Sequence, residues 1–278
     1  IEGVPGWAVV VVVLGREPGE PNESHSMDIQ FLPSCFGDPR FQMATTYVVN
    51  NRLAIDAGCL GLAGLDLQEQ VTDVVLTHVH LDHVATLPLF AVNRLQSGLA
   101  PARIHAPGDV LDAVRNDLFN DRLWPDLERL STDAAQLIEF HELAVDTPVR
   151  VAGIEVVAVP IDHVLPTYGY LLGGSGCTVV VATDTRDTDL IWQRAAARDD
   201  LSGVLIEASF PESQAELAEV SGHLTPSGTA RQLAKIGREV RAIAVHLKPP
   251  NREELVAEIE ALGVAGLEVG VPGTVYSF

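Results

Sequence analysis

The stretch "LTHVHLDHVATLP", Leu76 to Pro88, places three of the chain's nine histidines and an aspartate within six residues, directly after the apolar run "VTDVV". His78 and His80 stand two apart, so in extended chain at a strand end both rings point to one side. Asp82 and His83 then fall at the start of a following helix, and one turn can feed two adjacent cation sites. Imidazole and carboxylate together suit zinc, and also manganese or iron. Four such groups this close in a metal-free core would leave polar atoms unsatisfied.

Two cations need more ligands, from other strand ends. His163 follows "VVAVPID", Asp184 follows "TVVVAT" and His246 follows "RAIAV". Each is the polar residue at the exit of an apolar strand, the place where a rigid scaffold presents working side chains. His25, His105 and His141 have no such setting and are assigned to surface or packing.

Further outward, the chain from Met27 begins with short strands in "MDIQFL", "TTYVV" and "RLAIDAG". Val84, Leu87, Phe90, Ala91 and Leu95 then have the spacing of one buried helical face, stopped by Gly98. A strand "ARIHAP" leads to a helix through "GDVLDAVRNDLF". Hairpins follow in "VRVAGIEVVAVP" and "YGYLLGGSGCTVVVATD", the second turning over Gly173 to Gly176. After Asp189, helices alternate with the strands "GVLIEAS", "RAIAVHL", "LEVGV" and "TVYSF". Hairpins mixed with strand-helix units predict an α/β fold of two mixed sheets face to face with helices on the outer faces.

The chain's 278 residues, 47% apolar and 20% charged, suffice for one large domain or two small ones. Eighteen Lys and Arg against 38 Asp and Glu leave a formal charge of −20, a field that repels nucleic acids and anionic membranes. Cys35, Cys59 and Cys177 are odd in number and widely spaced, which indicates neither a disulfide framework nor a thiolate metal site. A reducing, cytoplasmic compartment is the expectation. The apolar "WAVVVVVLG", Trp7 to Gly15, is too short to span a bilayer and lacks the flanks of a signal peptide. Residues 1–26 are therefore predicted to be an N-terminal extension ahead of a catalytic domain over 27–278, with a periplasmic location as the alternative should they be the remnant of an export signal.

Taken with Asp184 and His246, "THVHLDH" resembles the metallo-beta-lactamase superfamily, whose pattern is HxHxDH followed by a distant His, Asp and His, and the resemblance runs from Met27 to Phe278. It implies a four-layer αββα sandwich with two divalent metal ions. One would be held by His78, His80 and His163, the other by Asp82, His83 and His246, with Asp184 shared. Within that superfamily, "IEASFPESQAELAEVSGHLTP", "HLKP" and "LFNDRLWPDL" are similar to segments of the class II cyclic nucleotide phosphodiesterases. The chain departs from that family at Thr86, where a small Gly or Ser is usual, and at "FLPSCFGDP", where its glycine-rich loop would stand.

This second resemblance implies hydrolysis of 3′,5′-cyclic AMP or cyclic GMP to the nucleoside 5′-monophosphate. Asp82, His223 and Glu207 would be the catalytic set, with His223 donating a proton to the leaving group and Glu207 orienting it. His223, Thr225, Asn120 and Trp124 would contact substrate. Thr225 and Pro226 also read as the N-cap and first residue of a helix. The expected partner is a small cyclic nucleotide rather than nucleic acid or membrane, and a homodimer stays open. "IEASF", "HLT" and "ATDT" also resemble transfer-RNA 3′ processing endonucleases, the alternative assignment, against which the acidic charge speaks. A further alternative is another hydrolase of the superfamily, of lactamase or thioesterase type, which would have no need for "GHLTP".

Overall fold

Strand Cys177–Ala182 is buried at all six positions, so its sheet is covered on both faces. The computed structural model, which describes residues 26–278 apart from Phe36 and Pro39, shows how. The first seven-stranded sheet contains β1 (Asp28–Phe31), β2 (Tyr47–Val49), β3 (Leu53–Ile55), β4 (Asp73–Val75), β5 (Ala102–Ala106), β6 (Ile138–Glu142) and, beside β1, the last strand of the chain. The second contains β7 (Val149–Val151), β8 (Ile154–Ile161), β9 (Thr167–Gly174), β10 (Cys177–Ala182), β11 (Leu201–Glu207), β12 (Arg241–Val245) and β13 (Leu267–Val269). That last strand, β14 (Val275–Ser277), pairs antiparallel with β1. Each sheet begins as an antiparallel meander and ends as parallel strands, from β3 onward in the first and from β10 onward in the second.

Period-two alternation sorts the apolar side chains into layers. Ile29, Phe31, Tyr47, Ile55, Val75, Tyr170, Val179, Val181 and Val245 meet between the sheets. The other face of the first sheet, through Val48, Ala54, Val74 and Ile104, packs on α3 (Leu87–Gln96) and α4 (Gly108–Ala113). Val180, Ala182, Val204 and Ile206 do the same for the second sheet against α6 (Leu190–Ala196) and α8 (Pro226–Ala234). Leu255 and Ile259 of α9 (Arg252–Leu262) cover Ala208 and Ala244. The result is the expected αββα sandwich. The remaining helices are α1 (Leu65–Gln70), α2 (Leu81–Val84), α5 (Leu127–Leu130) and α7 (Ala215–Ser221).

Local differences from the sequence reading have physical causes. Both hairpin turns are two residues long, Ala152–Gly153 and Ser175–Gly176, all at positive φ as the right-handed strand twist requires. Gly173 and Gly174 remain paired in β9, so the second turn is shorter than expected. The helix after His83 is broken: the Thr86 hydroxyl donates to Ala57 O and accepts from Gly61 N, and α3 starts afresh at Leu87. Strand β6 and helix α1 are additional elements. Cys35, Cys59 and Cys177 are free thiols, and burial raises Cys59 to about 11. No helix of the described residues is long and apolar enough to cross a membrane. "WAVVVVVLG" and His25 lie outside the described residues, as does the predicted extension apart from Ser26.

Candidate metal centre and active site

The carboxyl ends of the parallel strands, with that of β8, gather at one end of the sandwich, the edge where open α/β sheets bind ligands. His78 and His80 occupy the loop after β4, and Asp82 and His83 ride on α2. His163 follows β8, Asp184 follows β10 and His246 follows β12. The structure brings all seven together. Ligand atoms of His78, His80, His163 and Asp184 lie within 4.8 Å of one another, as do those of Asp82, His83 and His246. Asp184 bridges the groups: its Oδ2 is 3.6 Å from His78 Nε2 and 3.3 Å from His83 Nε2, and its Oδ1 is 3.4 Å from His246 Nδ1.

Hydrogen bonds behind the cluster set which nitrogen of each ring faces in. His83 Nδ1 donates to Asp56 Oδ2 at 2.7 Å, and His163 Nδ1 donates to Gly222 O at 2.7 Å. Thr77 Oγ1 donates to Asp56 Oδ2 and so accepts from His78 Nδ1 at 2.9 Å. Ser209 Oγ donates to His246 O and likewise accepts from His246 Nδ1 at 3.0 Å. Four Nε2 lone pairs are thereby turned inward. His80 differs, presenting Nδ1 at 3.1 Å from His78 Nε2 and 3.3 Å from His163 Nε2. Fixing each ligating ring through its other nitrogen is how proteins orient imidazole toward metal.

A divalent cation fits this donor set on a second ground. His83 Nε2 and Asp184 Oδ1 are buried without a hydrogen-bond partner, a costly state for two polar atoms that a cation would relieve. Burial disfavours the charged forms of His78, His80 and His163 and lowers their pKa values, leaving neutral imidazoles. For His83 burial acts the same way, but the Asp184 and Asp56 carboxylates outweigh it and hold its pKa well above the ordinary histidine value. Burial would raise Asp184, yet His246, His83 and His78 hold it well below the usual carboxylate range.

His223 stands beside the cluster, stacked on His246 with ring centroids 5.5 Å apart and 5.1 Å from His163. The αL residue Gly222, which ends α7, turns the chain toward the site and leaves no room for a Cβ, which would lie 2.6 Å from His163 Nδ1. His223 Nδ1 is 3.1 Å from both oxygens of the fully buried Glu207, which also accept the Thr185 and Leu224 amides. Burial works against the imidazolium, but the Glu207 charge and hydrogen bonds prevail and raise its pKa. A ligand atom of His223 also comes within 4.8 Å of Asp184 and His246.

Other residues singled out in the sequence are engaged elsewhere. Thr225 Oγ1 caps α8 by accepting from Gly228 N. Asn120 spends its amide within its own loop, donating to Asn116 O and accepting from Arg122 N and Leu123 N. Trp124 packs against the core beneath the first sheet's helices, with its indole nitrogen buried and unpartnered. No hydrogen bond or ring contact joins Asn120 or Trp124 to the histidine cluster among the described residues. His105 donates to Asp73 Oδ1 at 2.8 Å and stacks on His141, a packing role. Sequence reasoning missed Asp56, Thr77 and Ser209. Asp56 carried the same mark as the ligands, a polar residue at the exit of the buried strand "LAI".

A model of the beta-lactamase superfamily domain matches residues 54–247, a span that includes Asp56 and all seven clustered side chains. A probable 3′,5′-cyclic-nucleotide phosphodiesterase of Yersinia pestis is 24% identical over 213 residues, 67% of this chain and 60% of that relative, so the chain accounts for only part of the relative's length. A ribonuclease Z of Mycobacterium bovis is 25% identical over 238 residues, 80% of this chain and 82% of the relative. The crystal structure of unliganded yeast PDE1 shares the fold over 90% of this chain and 98% of its own, with a TM-score of 0.72 at 16% identity. A family match over most of the chain thus coincides with the layered sheets and the buried donors reached from the residues, and the chain belongs to the beta-lactamase superfamily.

Proposed function

We propose that the chain is a phosphodiesterase that hydrolyses 3′,5′-cyclic nucleotides to nucleoside 5′-monophosphates. The observation that carries the proposal is His223, clamped by both oxygens of Glu207 at the edge of a cluster suited to two cations. His78, His80 and His163 would hold one cation and Asp82, His83 and His246 the other, with Asp184 shared; imidazole with carboxylate suits zinc, the proposed cation, and also manganese or iron. Bound there, divalent cations supply Lewis acidity toward phosphoryl oxygens and make water acidic enough to attack near neutral pH.

The chain's own residues do the rest. Glu207 keeps His223 protonated at Nδ1 and favours the imidazolium, so Nε2 has a proton to give to the departing ribose 3′ oxygen. Because the His223 pKa is raised above the ordinary histidine value, this acid persists to higher pH than an unperturbed histidine would and is lost as pH rises through the raised value. Thr225 supports the neighbouring helix start. The net charge of −20 favours a small singly charged diester over a polyanion.

A second assignment, to ribonuclease Z-like cleavage of precursor transfer RNA, is favoured by the longer share of the chain aligned with that relative. Parallel assays of cyclic AMP, cyclic GMP, precursor transfer RNA and bis(p-nitrophenyl) phosphate separate the two. The role of His223 is tested by His223→Ala, which should slow cyclic AMP hydrolysis by about 10²- to 10⁴-fold while affecting bis(p-nitrophenyl) phosphate much less, since p-nitrophenolate leaves without a proton. Equal losses on both substrates would remove the proton-donor role. Loss of metal would make His223 a ligand.

A further inference from the structure

The chain contains two lysines among its 278 residues. Lys235 is spent on structure, its ammonium held by Asp187, Asp189 and the Thr188 carbonyl. Lys248, two residues beyond His246, is at the cluster. Its Nζ lies 3.4 Å from His246 Nε2 and 3.6 Å from Asp82 Oδ2. Among the described residues no other lysine or arginine comes within 4.0 Å of the Asp82 or Asp184 carboxylates.

We infer that Lys248 binds a nonbridging phosphoryl oxygen of the substrate. The base of the side chain is fixed: Lys248 N donates to Ser209 O, its carbonyl accepts from Asn251 N, and Pro249 and Pro250 follow directly. Its side chain is 29% exposed, and its ammonium lies beside His246 and Asp82. The ammonium sits against two proposed ligands of one cation. When those ligands are engaged it cannot share their position, since like charges this close repel, so the ammonium would be released from them while its backbone stays anchored beside the cluster. A phosphodiester approaching a protein of charge −20 would meet the Lys248 ammonium beside the cluster. An ammonium on a flexible stem suits that task as a point charge for phosphate.

The inference rests on the phosphodiesterase proposal, and its test separates the two. Wild type, Lys248→Ala and Lys248→Arg, all purified with metal and without chelator, are compared for metal content, for kinetics on bis(p-nitrophenyl) phosphate and for calorimetric binding of inorganic phosphate. Losing one charge-assisted contact corresponds to about 10- to 100-fold in affinity. Lys248→Ala should therefore raise KM and weaken phosphate binding by that factor, with kcat changed far less and metal content unaltered, and Lys248→Arg should recover most of the loss. Unchanged KM and phosphate affinity in Lys248→Ala would overturn the inference. So would tighter metal binding with unaltered phosphate binding, which would make Lys248 only a counter-cation for the metal-free ligands. If wild type turns over no phosphodiester yet Lys248→Ala loses phosphate affinity, the activity proposal fails and the phosphate contact stands.

Discussion

Asp56 is not itself among the proposed ligands and yet governs two of them. Its carboxylate accepts from His83 Nδ1, from Thr77 N and from Thr77 Oγ1, and through that hydroxyl it also orients His78. Partners of this kind typically account for about 10- to 100-fold in metal affinity. Asp56→Ala should therefore weaken zinc by about that factor in competition with a chromophoric chelator, and unchanged affinity would show that packing alone holds His83. The pKa of His83 is raised in the metal-free protein, so cation binding must displace a proton, and wild-type affinity should fall as pH is lowered. All seven proposed ligands were legible in the sequence as polar residues at strand exits or in the histidine cluster. The residues that aim them were not, because a serine hydroxyl at Ser209 and a carbonyl at Gly222 acquire that work only through contacts far along the chain.

Helix α2 carries two proposed ligands on only four residues, too few to hold itself in place. The segments just before β2 and just after β3 hold it instead. Ala57 N donates to His83 O, Thr45 N to Asp82 O and Gly58 N to Thr45 O. The backbones are so close that a Cβ on Gly58 would lie 1.9 Å from Asp82 O. Gly58→Ala should cost about 1–3 kcal/mol or more by overpacking and lower the bound metal, as read by urea denaturation and elemental analysis. Full stability with full metal content would show that the clamp yields freely. Nothing in "RLAIDAG" announced this clamp, although it marked the end of a strand. The helical spacing of Val84, Leu87 and Phe90 likewise ran across the break at Thr86, since the hydroxyl that divides the helix bonds to residues near Gly61. Strand β6 escaped notice because "IEFHE" has too few apolar residues to stand out from a polar surface.

The two sheets each supply part of the donor set. His78, His80, Asp82 and His83 extend from the first, and His163, Asp184 and His246 from the second. Cations bound between them would act as ties across the sandwich, and native-state ligands stabilise by mass action. Chelation should lower the melting temperature in scanning calorimetry by several degrees, about what a few kcal/mol produces in a domain of this size. An unchanged transition would mean that the apolar layer between the sheets already determines global stability. That layer and the layered architecture were readable from periodicity, whereas the pairing of β14 with β1 was not, because register over 3 residues leaves little imprint on a sequence. Residues 143–148 link β6 of the first sheet to β7 of the second, and the chain returns to the first sheet only at β14. Cut there, the chain becomes two fragments, neither with a complete ligand set. On the proposed ligand assignment the site would form only where both fragments meet, which would make the chain a coincidence detector written into one polypeptide.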